Sequence, residues 1–320
     1  MAKSKTSVGD LPVIDDAPEP NASDGTKPNG TDTLCKPLGQ PELKSLTPGL
    51  YLVATPIGNA ADITLRALDI LSRADIVLCE DTRTSGKLMK IHGINATLQP
   101  YHEHNAERVR PIIMRRLDQG EVVAMISDAG MPLVSDPGYK MVEACVNEGV
   151  MVTAAPGPSA TLTALVLSGL PTDRFFFQGF LPSKTGARQK VLGEISTVPG
   201  TLIFLESAKR LASSLADMRV VLGNRPAAVG RELTKFYEEI RRGTLDELAE
   251  HYAEAGAPKG EITLCVGPPL PLAPPSDEEL DAMLIEALKS HSVKEVAAHF
   301  AQTTGLPKRV LYSRALAFKD

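Results

Sequence analysis

Apolar and polar residues alternate along the chain in a pattern that predicts successive strands and helices. Short runs rich in Val, Ile and Leu are separated by segments whose apolar residues recur at helical spacing, as at 62–71, where Asp62 is the expected N-cap. Strand–helix–strand order is typical of a mostly parallel sheet with right-handed crossovers. In the first half of the chain, strands are predicted at 50–54, 75–79, 97–101, 121–126 and 150–154, and a helix at 139–147.

The alternation continues in a second unit, 171–267, and then gives way to helices. A segment with five prolines, 268–275, is typical of a linker. In the last unit, 276–320, Ser292 and Glu295 form a capping box before a turn and a basic final helix. This order resembles a helix-turn-helix, although a helical unit used for dimerisation has the same pattern. The strands predicted in the second unit are 174–180, 201–205, 226–231 and 261–266.

Residues 1–48 differ in composition from the rest of the chain, because they are rich in Pro, Gly, Ser, Thr and Asp. Such a segment buries too little apolar surface to fold, so we predict a disordered tail. Two α/β domains, 49–170 and 171–267, are expected to follow it. The chain has neither an apolar run that could span a bilayer nor a secretory signal, which predicts a cytoplasmic protein with no membrane partner. Its four scattered cysteines predict buried free thiols rather than a metal site.

Charge is distributed unevenly along the chain. The net charge is −5, which by itself argues against a nucleic-acid partner. However, 12 Lys and Arg stand against 6 Asp and Glu between 174 and 242, and 306–319 contains four bases and no acid. A basic second half of this kind favours an anionic partner such as RNA.

Three loops that follow predicted strands contain Gly and Pro: 55–59, 127–138 and 155–160. The carboxyl ends of parallel strands meet at one edge of a sheet, where open α/β proteins bind ligands. The central loop, SDAGMPLVSDPG, has twelve residues, whereas an ordinary strand–helix connection has about 2–6. Its small, mostly neutral side chains suit a ligand recognised by main-chain groups. Neither GxxxxGK[ST] nor a GxGxxG after the first strand is present, which argues against P-loop and dinucleotide-binding proteins.

Five motifs occur in order: VATPIGN at 53–59, EDTR at 80–83, the 127–138 loop, PGPSA at 156–160 and RELTK at 231–235. Together they resemble the ribosomal RNA small subunit methyltransferase I family of the tetrapyrrole methylase superfamily, over 49–318. The resemblance implies two α/β domains with S-adenosylmethionine (SAM) in the cleft between them. It also implies 2′-O-methylation of a cytidine ribose in the decoding region of 16S rRNA, and a homodimer. Met131 replaces the usual Thr, and Ala60, Ala208 and Lys209 also depart from the family pattern.

The resemblance further implies which residues form the sites. Ile57, Val134 and Leu205 are apolar enough to be core residues instead. The implied SAM contacts are Pro56, Ile57, Gly58, Asp128, Gly130, Met131, Val134, Pro156, Gly157, Ser159, Ala160, Leu205, Glu206 and Gly230. Contacts to small-subunit rRNA, free or in an assembled subunit, are assigned to Lys209, Arg210, Arg231, Lys235, Lys308, Arg309 and Arg314. For the bases between 206 and 235, a solvated edge of ion pairs is the alternative.

Glu80, Asp81 and Arg83 follow the second predicted strand and are the candidate catalytic residues. Either carboxylate can accept a proton from a ribose hydroxyl, or orient it, if burial raises its pKa, since an ordinary carboxylate with a pKa of ~4 is a weak base. The alternative is an ion pair with Arg83 or an N-cap for the next helix. Positioning of the two reactants can by itself supply much of the rate.

The segment His102-Glu103-His104 has two imidazoles but no further ligands at a recognisable spacing. We therefore favour an RNA-facing loop or a helix cap over a metal site, and expect no metal. Two rival functions stay open: a tetrapyrrole C-methyltransferase on the same fold, and a regulator that binds SAM or RNA without catalysis. The basic second domain and the helical unit argue against the first, and a methyl-transfer assay distinguishes the second.

Overall fold

A computed structural model describes residues 45–136, 138–270 and 276–319. Nearly all of the predicted disordered tail and most of the predicted linker, 271–275, lie outside the described residues. The described residues form two five-stranded sheets and a C-terminal group of helices.

The first domain is built on a parallel sheet. It contains β1 (Gly49–Val53), α1 (Leu65–Arg73), β2 (Ile76–Cys79), α2 (Thr82–Ile91), β3 (Leu98–Pro100), α3 (Ala106–Asp118), β4 (Val122–Met125), α4 (Tyr139–Asn147) and β5 (Val152–Ala155). The strand order is β3-β2-β4-β1-β5, and each pairing is parallel. The parallel α/β architecture predicted from the alternation of strands and helices is confirmed.

Helices cover both faces of this sheet. Val77 packs into a buried cluster with Ile70 of α1, whereas Leu78, the next residue of β2, packs into a second cluster with Met141 of α4. Successive side chains of a strand point to opposite faces, so a sheet covered on both sides needs apolar residues at nearly every position. The continuous apolar runs in the sequence have this cause.

The helix predicted at 62–71 begins later than expected. Asp62 lies in a short 3-10 helix, Ala60–Asp62, and α1 follows after a break. The Thr64 hydroxyl is its N-cap and accepts a hydrogen bond from Ala67 N at 3.1 Å. The prediction of Asp62 as N-cap was wrong, because Thr64 occupies the extended conformation from which a side chain reaches the first free amides.

The second domain has a mixed sheet. It contains α5 (Ala160–Ser168), β6 (Phe175–Phe180), α6 (Thr185–Ile195), β7 (Thr201–Ser207), α7 (Leu211–Leu222), β8 (Pro226–Arg231), β9 (Glu239–Thr244), α8 (Leu245–Ala255) and β10 (Glu261–Val266). The strand order is β6-β7-β10-β8-β9, in which β6 and β7 are parallel and the other pairs antiparallel. Neither α7 nor β9 was predicted from the sequence.

Helix α5 packs on the second sheet although the sequence assigned it to the first domain. Its Ala164 and Leu165 share a buried cluster with Ile203, Ala228 and Cys265, which lie on β7, β8 and β10. The chain therefore crosses between the domains directly after β5, before the boundary expected at 170.

Three helices form the C-terminal unit: α9 (Asp277–Leu288), α10 (Val293–Thr304) and α11 (Lys308–Leu316). The predicted capping box of Ser292 and Glu295 begins α10, and Gly305, with φ of 71°, ends it. Leu284, Phe300 and other apolar side chains of the three helices form a separate buried cluster. The helix-turn-helix order predicted from the sequence is confirmed.

Two further predictions concern the cysteines and membrane-spanning helices. Cys79, Cys145 and Cys265 are buried free thiols, as predicted, and Cys35 lies outside the described residues. Among the helices of the described ranges, none is both long and apolar enough to cross a bilayer.

Candidate functional site

Three loops of the first domain meet at the carboxyl edge of its sheet, as predicted. Thr55 and Gly130 form a bridge in which each N–H donates to the carbonyl of the other, at 2.9 and 3.0 Å. The Thr55 hydroxyl also donates to Ser127 O at 3.1 Å. A Cβ on Gly130 would lie 3.7 Å from Pro158 O, so the third loop lies beside the other two. The parallel topology thus builds one continuous surface from three separate parts of the sequence.

The central loop contains two of the four non-glycine residues with left-handed φ in the described part of the chain. Leu133 and Ser135 have φ of 72° and 65°, left-handed values that cost a non-glycine residue about 1–3 kcal/mol. Val134, between them, is 44 % exposed. Such strain persists only where the surrounding structure imposes it, and it is typical of ligand-binding loops.

The first loop is where the two domains touch. Ile57 is buried against α5 and against Leu233, which follows β8. Asn59 N donates to the Thr234 hydroxyl at 3.1 Å, and a Cβ on Gly58 would lie 2.7 Å from the same hydroxyl. Only glycine permits so close an approach. The first loop therefore both borders the cleft and fixes the second domain against it.

Most of the predicted cofactor residues lie together on these loops. Asp128 accepts a hydrogen bond from Asp81 N at 3.2 Å, and the Ser159 hydroxyl caps α5 by accepting one from Leu162 N at 3.4 Å. Leu205 and Gly230 lie on strands of the second sheet. The residues on the loops or at the start of α5 are Pro56, Ile57, Gly58, Asp128, Gly130, Met131, Val134, Pro156, Gly157, Ser159 and Ala160.

Glu206 faces away from the other predicted cofactor residues. Its fully buried carboxylate forms an ion pair with Arg210 at 2.9 Å and accepts a hydrogen bond from the Ser214 hydroxyl at 2.5 Å. Because side chains alternate along a strand, Leu205 points to the opposite face. The side chain of Glu206 thus joins β7 to α7 and is not available to a cofactor, which corrects the prediction from the sequence.

Asp81 is the N-cap of α2. Its carboxylate accepts a hydrogen bond from Arg83 N at 2.8 Å and forms an ion pair with the Arg83 guanidinium at 2.7 Å. These hydrogen bonds from Arg83 lower the pKa of Asp81 to about 2. A carboxylate with so low a pKa is a poor proton acceptor. The structure therefore has the ion pair and cap that were the alternative to catalysis, while Glu80 follows β2 as an exposed residue.

Asp136, near the end of the central loop, has the opposite property. Partial burial and the nearby charges of Glu80 and Asp128 raise its pKa to about 6, although a hydrogen bond with Ser127 opposes them. With Glu80 and Tyr101 it lines a cavity of about 10 Å³, the size of one water molecule. The buried Tyr101 hydroxyl has no hydrogen-bond partner in the described part of the chain. The sequence did not single out Asp136, because Asp before Pro-Gly is an ordinary turn residue.

A larger cavity of about 300 Å³ opens between the two domains. Its walls are the first loop, 127–129 of the central loop, one side of α2, and Lys235 and Glu261 of the second domain. This volume is at the lower end of the range for small-molecule pockets. Both domains therefore contribute to one concave site.

The bases predicted to contact RNA fall into two groups. Lys209, Lys308 and Arg309 are exposed and form no ion pair within the described ranges. Arg314 instead joins α11 to α9, so it is not part of the exposed basic surface predicted for the last helix. The paired bases are Arg210 with Glu206, Arg231 with Glu239, Lys235 with Glu232 and Glu261, and Arg314 with Asp277 and Asp281.

The segment with two histidines forms the turn before α3. His102 N donates to Asn105 Oδ1 at 2.9 Å, and the imidazole centroids of His102 and His104 are 6.0 Å apart. Over the residues that the structure describes, no three His, Cys, Asp or Glu side chains come together as a metal site. The segment forms the turn that precedes a helix, and its contact with RNA stays a prediction.

Comparison with known proteins identifies the family. Residues 49–249 match the model described as Tetrapyrrole (Corrin/Porphyrin) Methylases, and 274–319 match the RsmI C-terminal HTH domain. The ribosomal RNA small subunit methyltransferase I of Mesorhizobium japonicum is 52% identical over 287 residues, which cover 88% of this chain and 97% of that protein. That of Erythrobacter litoralis is 49% identical, with 86% and 96% covered. This chain belongs to the ribosomal RNA small subunit methyltransferase I family.

Membership of the methyltransferase I family agrees with the five motifs found in the sequence. The fold itself extends further, since the crystal structure of diphthine synthase aligns with a TM-score of 0.55 at 13% identity, covering 68% of this chain and 89% of that one. The match to a helix-turn-helix model assigns the C-terminal helices to the same family as the two α/β domains.

Proposed function

We propose that this protein transfers a methyl group from SAM to the 2′ hydroxyl of a cytidine ribose in the decoding region of 16S rRNA, in the cytoplasm. The observation that best supports an rRNA substrate is the 52% identity with a ribosomal RNA small subunit methyltransferase, matched over 97% of that protein. The 2′ position and the cytidine rest on the sequence motifs.

The three loops of the first domain suit SAM. When bound, SAM supplies an electrophilic methyl group on a positively charged sulfur. None of the three loops contains Lys or Arg, so carbonyls and carboxylates dominate this edge, and Lys235, which lines the cavity beside it, is paired with Glu232 and Glu261. Gly130, with φ of 83°, lets the central loop pass beside Ile57 without a side chain. In this proposal Gly130, Met131, Val134 and Ala160 hold the cofactor.

Asp136 is the proton acceptor in this proposal, with Glu80 beside it. As the bond between the ribose oxygen and the methyl carbon forms, the bond from carbon to sulfur breaks and the hydroxyl proton passes to a carboxylate. A pKa of about 6 is closer to neutral pH than the value of about 2 for Asp81, which favours Asp136 as the base. The unpartnered Tyr101 hydroxyl lines the same cavity, which has room for one water molecule beside the two carboxylates.

We assign RNA contact to the helix-turn-helix, beginning with the exposed Lys308 and Arg309. For the homodimer, the supporting feature is the edge strand β6, where Phe175, Phe176 and Phe180 are exposed. An apolar edge strand pairs readily with another copy unless it is covered. A tetrapyrrole substrate is the rival, and the match of 274–319 to the RsmI C-terminal domain argues against it.

Methyl transfer to small ribosomal subunits that lack the modification tests the proposal. We expect one methyl group per subunit, mapped by mass spectrometry of nuclease fragments to the 2′ oxygen of a decoding-region cytidine. Naked 16S rRNA assayed in parallel shows whether the assembled subunit is required. Methylation of a tetrapyrrole instead would establish the rival enzyme, and SAM binding without transfer to either acceptor would establish a regulator.

A further inference from the structure

The connection between β8 and β9, residues 232–238, presents two large aromatic side chains to solvent. We name it the aromatic loop. Phe236 is 92 % exposed and Tyr237 is 67 % exposed. Their rings meet edge to face, with centroids 5.0 Å apart and planes at 89°. Residues of this size normally lie inside a protein, and neither ring belongs to a buried cluster of the described chain. Their exposure therefore needs an explanation other than folding.

The backbone of the aromatic loop is held by its own hydrogen bonds. Lys235 N donates to Glu232 O at 3.0 Å, and Glu238 N donates to Lys235 O at 3.1 Å. The Glu238 carboxylate accepts a hydrogen bond from Thr234 N at 2.6 Å. Glu232 and Thr234 have left-handed φ of 49° and 64°. The rings thus project from a strained backbone with a defined shape, which is typical of a binding loop.

The aromatic loop borders the cavity between the domains. The Thr234 hydroxyl accepts a hydrogen bond from Asn59 N, which fixes the loop to the first domain. Lys235 lines the 300 Å³ cavity together with 127–129 of the central loop. Phe236 follows Lys235 directly, so the aromatic loop adjoins this cavity in the chain.

The charges around the rings are already neutralised. Lys235 pairs with both Glu232 and Glu261, and Arg231 pairs with Glu239. In the described chain, the loop therefore offers no unpaired base to a phosphate or an anionic lipid. What it offers is flat aromatic faces, and these stack on any nucleic-acid base because each base has a π face.

We propose that Phe236 and Tyr237 form a stacking platform for an unpaired base of the substrate RNA, next to the nucleotide that is methylated. The proposal rests on the rRNA substrate proposed above. The perpendicular rings suit one flat partner, since one ring takes the base face to face while the other contacts its edge.

The sequence contains no tryptophan, so a single introduced indole reports on this loop alone. Phe236→Trp places it on the platform, and Val220→Trp, on an exposed position of α7, is the matched control. Each variant is titrated with a single-stranded RNA oligonucleotide of decoding-region sequence. We expect RNA to quench the emission of Phe236→Trp and to leave that of Val220→Trp unchanged.

Two results of this titration would overturn the platform. One is an absent response in Phe236→Trp, or an equal response in both variants, while the RNA binds. The other is an emission of Phe236→Trp that changes with protein concentration and not with RNA, which would show that a second copy of the chain covers the loop.

Affinity measurements separate stacking from simple apolar contact. Loss of a stacked base costs about 5- to 150-fold in Kd, so Phe236→Ala is expected to weaken RNA binding within that range. Phe236→Leu keeps an apolar side chain but lacks the π face, and we expect it to be nearly as weak. A leucine variant with wild-type affinity would contradict stacking. Because no phosphate contact is removed, the dependence of RNA affinity on salt is expected to stay the same in both variants.

Methyl transfer distinguishes a failure of the platform from a failure of the proposed function. If the wild-type protein methylates small subunits and Phe236→Ala has unchanged KM and kcat, the platform is wrong and the function stands. If the wild-type protein neither binds RNA nor methylates subunits, the proposed function is wrong and the platform with it. We expect a raised KM for subunits in Phe236→Ala, with an unchanged affinity for SAM.

Discussion

The two domains bring their residues to the cleft in different ways. Every pairing in the first sheet is parallel, so its strand-to-helix loops leave at one edge, and three of them meet there. The second sheet is mixed, so the connections that follow β6, β7 and β8 leave at one edge and the connection that follows β9 leaves at the other. Its side of the cleft includes one connection with a strained backbone, the aromatic loop, and a framework of ion pairs.

The chemistry of the two edges differs accordingly. The first combines strained backbone with carboxylates whose pKa values move apart, about 6 for Asp136 and about 2 for Asp81. On the second edge, Glu206 and Lys235 are held by partners of opposite charge. Paired charges fix the shape of a surface, whereas a carboxylate with a raised pKa is suited to proton transfer. We therefore expect substitutions in the first domain to change turnover and those in the second domain to change stability.

The largest expected effect is that of Asp136→Asn. It removes the proposed proton acceptor at nearly constant shape, so turnover is expected to fall roughly 10²–10⁴-fold with SAM affinity unchanged. In the wild type, turnover should rise with pH through about 6 and then level off, because only the ionised carboxylate accepts a proton. The variant is expected to lose that dependence.

Asp81→Asn is the matched control for this variant. Asparagine also caps helices, and a carboxylate with a pKa of about 2 does not change its charge over the assayed range. We therefore expect only a small loss of turnover and an unaltered pH profile. Equal losses of turnover in the two variants would show that Asp136 is not the specific proton acceptor.

Asp136 also gives a stability prediction. Folding raises its pKa from about 4 to about 6, so its protonated form favours the folded state. That stabilisation is complete below pH 4 and is lost as the pH rises through 6. At pH 8, Asp136→Asn should therefore raise the free energy of unfolding by about 1–2 kcal/mol, allowing for solvent screening. Urea denaturation at pH 4 and pH 8 measures the difference, which should nearly vanish at the lower pH.

Glu206→Ala tests the ion pairs at the cleft edge of the second sheet. It leaves Arg210 and Ser214 without their buried partner, so the free energy of unfolding should fall by about 2–3 kcal/mol. SAM affinity, measured by calorimetry, should stay the same because the carboxylate faces α7. Glu194→Ala, at an exposed position of α6, should change stability by less than about 0.5 kcal/mol. If Glu206→Ala weakens SAM binding and leaves the free energy of unfolding unchanged, Glu206 contacts the cofactor after all.

Gly130→Ala tests the backbone surface of the first domain. Alanine at a φ of 83° is expected to lower the free energy of unfolding by about 1–2 kcal/mol. Gly149→Ala is the control, since Gly149 has φ of 70° and no neighbouring atoms within 4 Å, and it should lower the free energy of unfolding by the same amount. Only Gly130→Ala should also lower SAM affinity, by about 10-fold, because the central loop must shift. Equal SAM affinity in the two variants would show that the central loop does not contact the cofactor.

The smallest effect is expected for the pair Lys308→Ala and Arg309→Ala in one protein. Each phosphate contact contributes about 0.7–0.9 to the slope of log K against log salt, so the slope should fall by about 1.4–1.8. Arg314→Ala should instead loosen the contact between α11 and α9, detected as a changed thermal transition. An unaltered slope in the double variant would favour dimerisation as the role of the helical unit.

Elements with a clear apolar period were predictable to the residue, as β8, β10 and α4 show. Helix α7 was missed although its buried Leu211, Leu215 and Leu222 recur at helical spacing, because small polar residues separate them. Strand β9 has Ile240 as its one large apolar residue, so its sequence alone has little preference for a strand. It is a strand because β8 offers it an edge, which is a tertiary cause.

The site was predictable to the level of loops and not of side chains. Parallel topology locates the loops without any knowledge of packing. By contrast, Leu205 and Glu206 point to opposite faces of β7, and the sequence does not show which face meets α7. The difference in pKa between Asp81 and Asp136 likewise depends on burial and on the charged partners of each carboxylate. Phe236 was overlooked for the same reason, since the exposure of a side chain is not a local property of the sequence.

The position of α5 sets the order in which the cleft is completed during synthesis at the ribosome. The first sheet ends with β5, yet α5 packs against Ile203 and Cys265, which are translated later. A domain generally folds once its chain has left the exit tunnel, so the first sheet forms while α5 still lacks a surface to pack on. Helix α5, which Ser159 caps, is then expected to take its final position only after β10 has emerged. In a nascent chain, the proposed cofactor site is therefore expected to stay incomplete until the second domain is made.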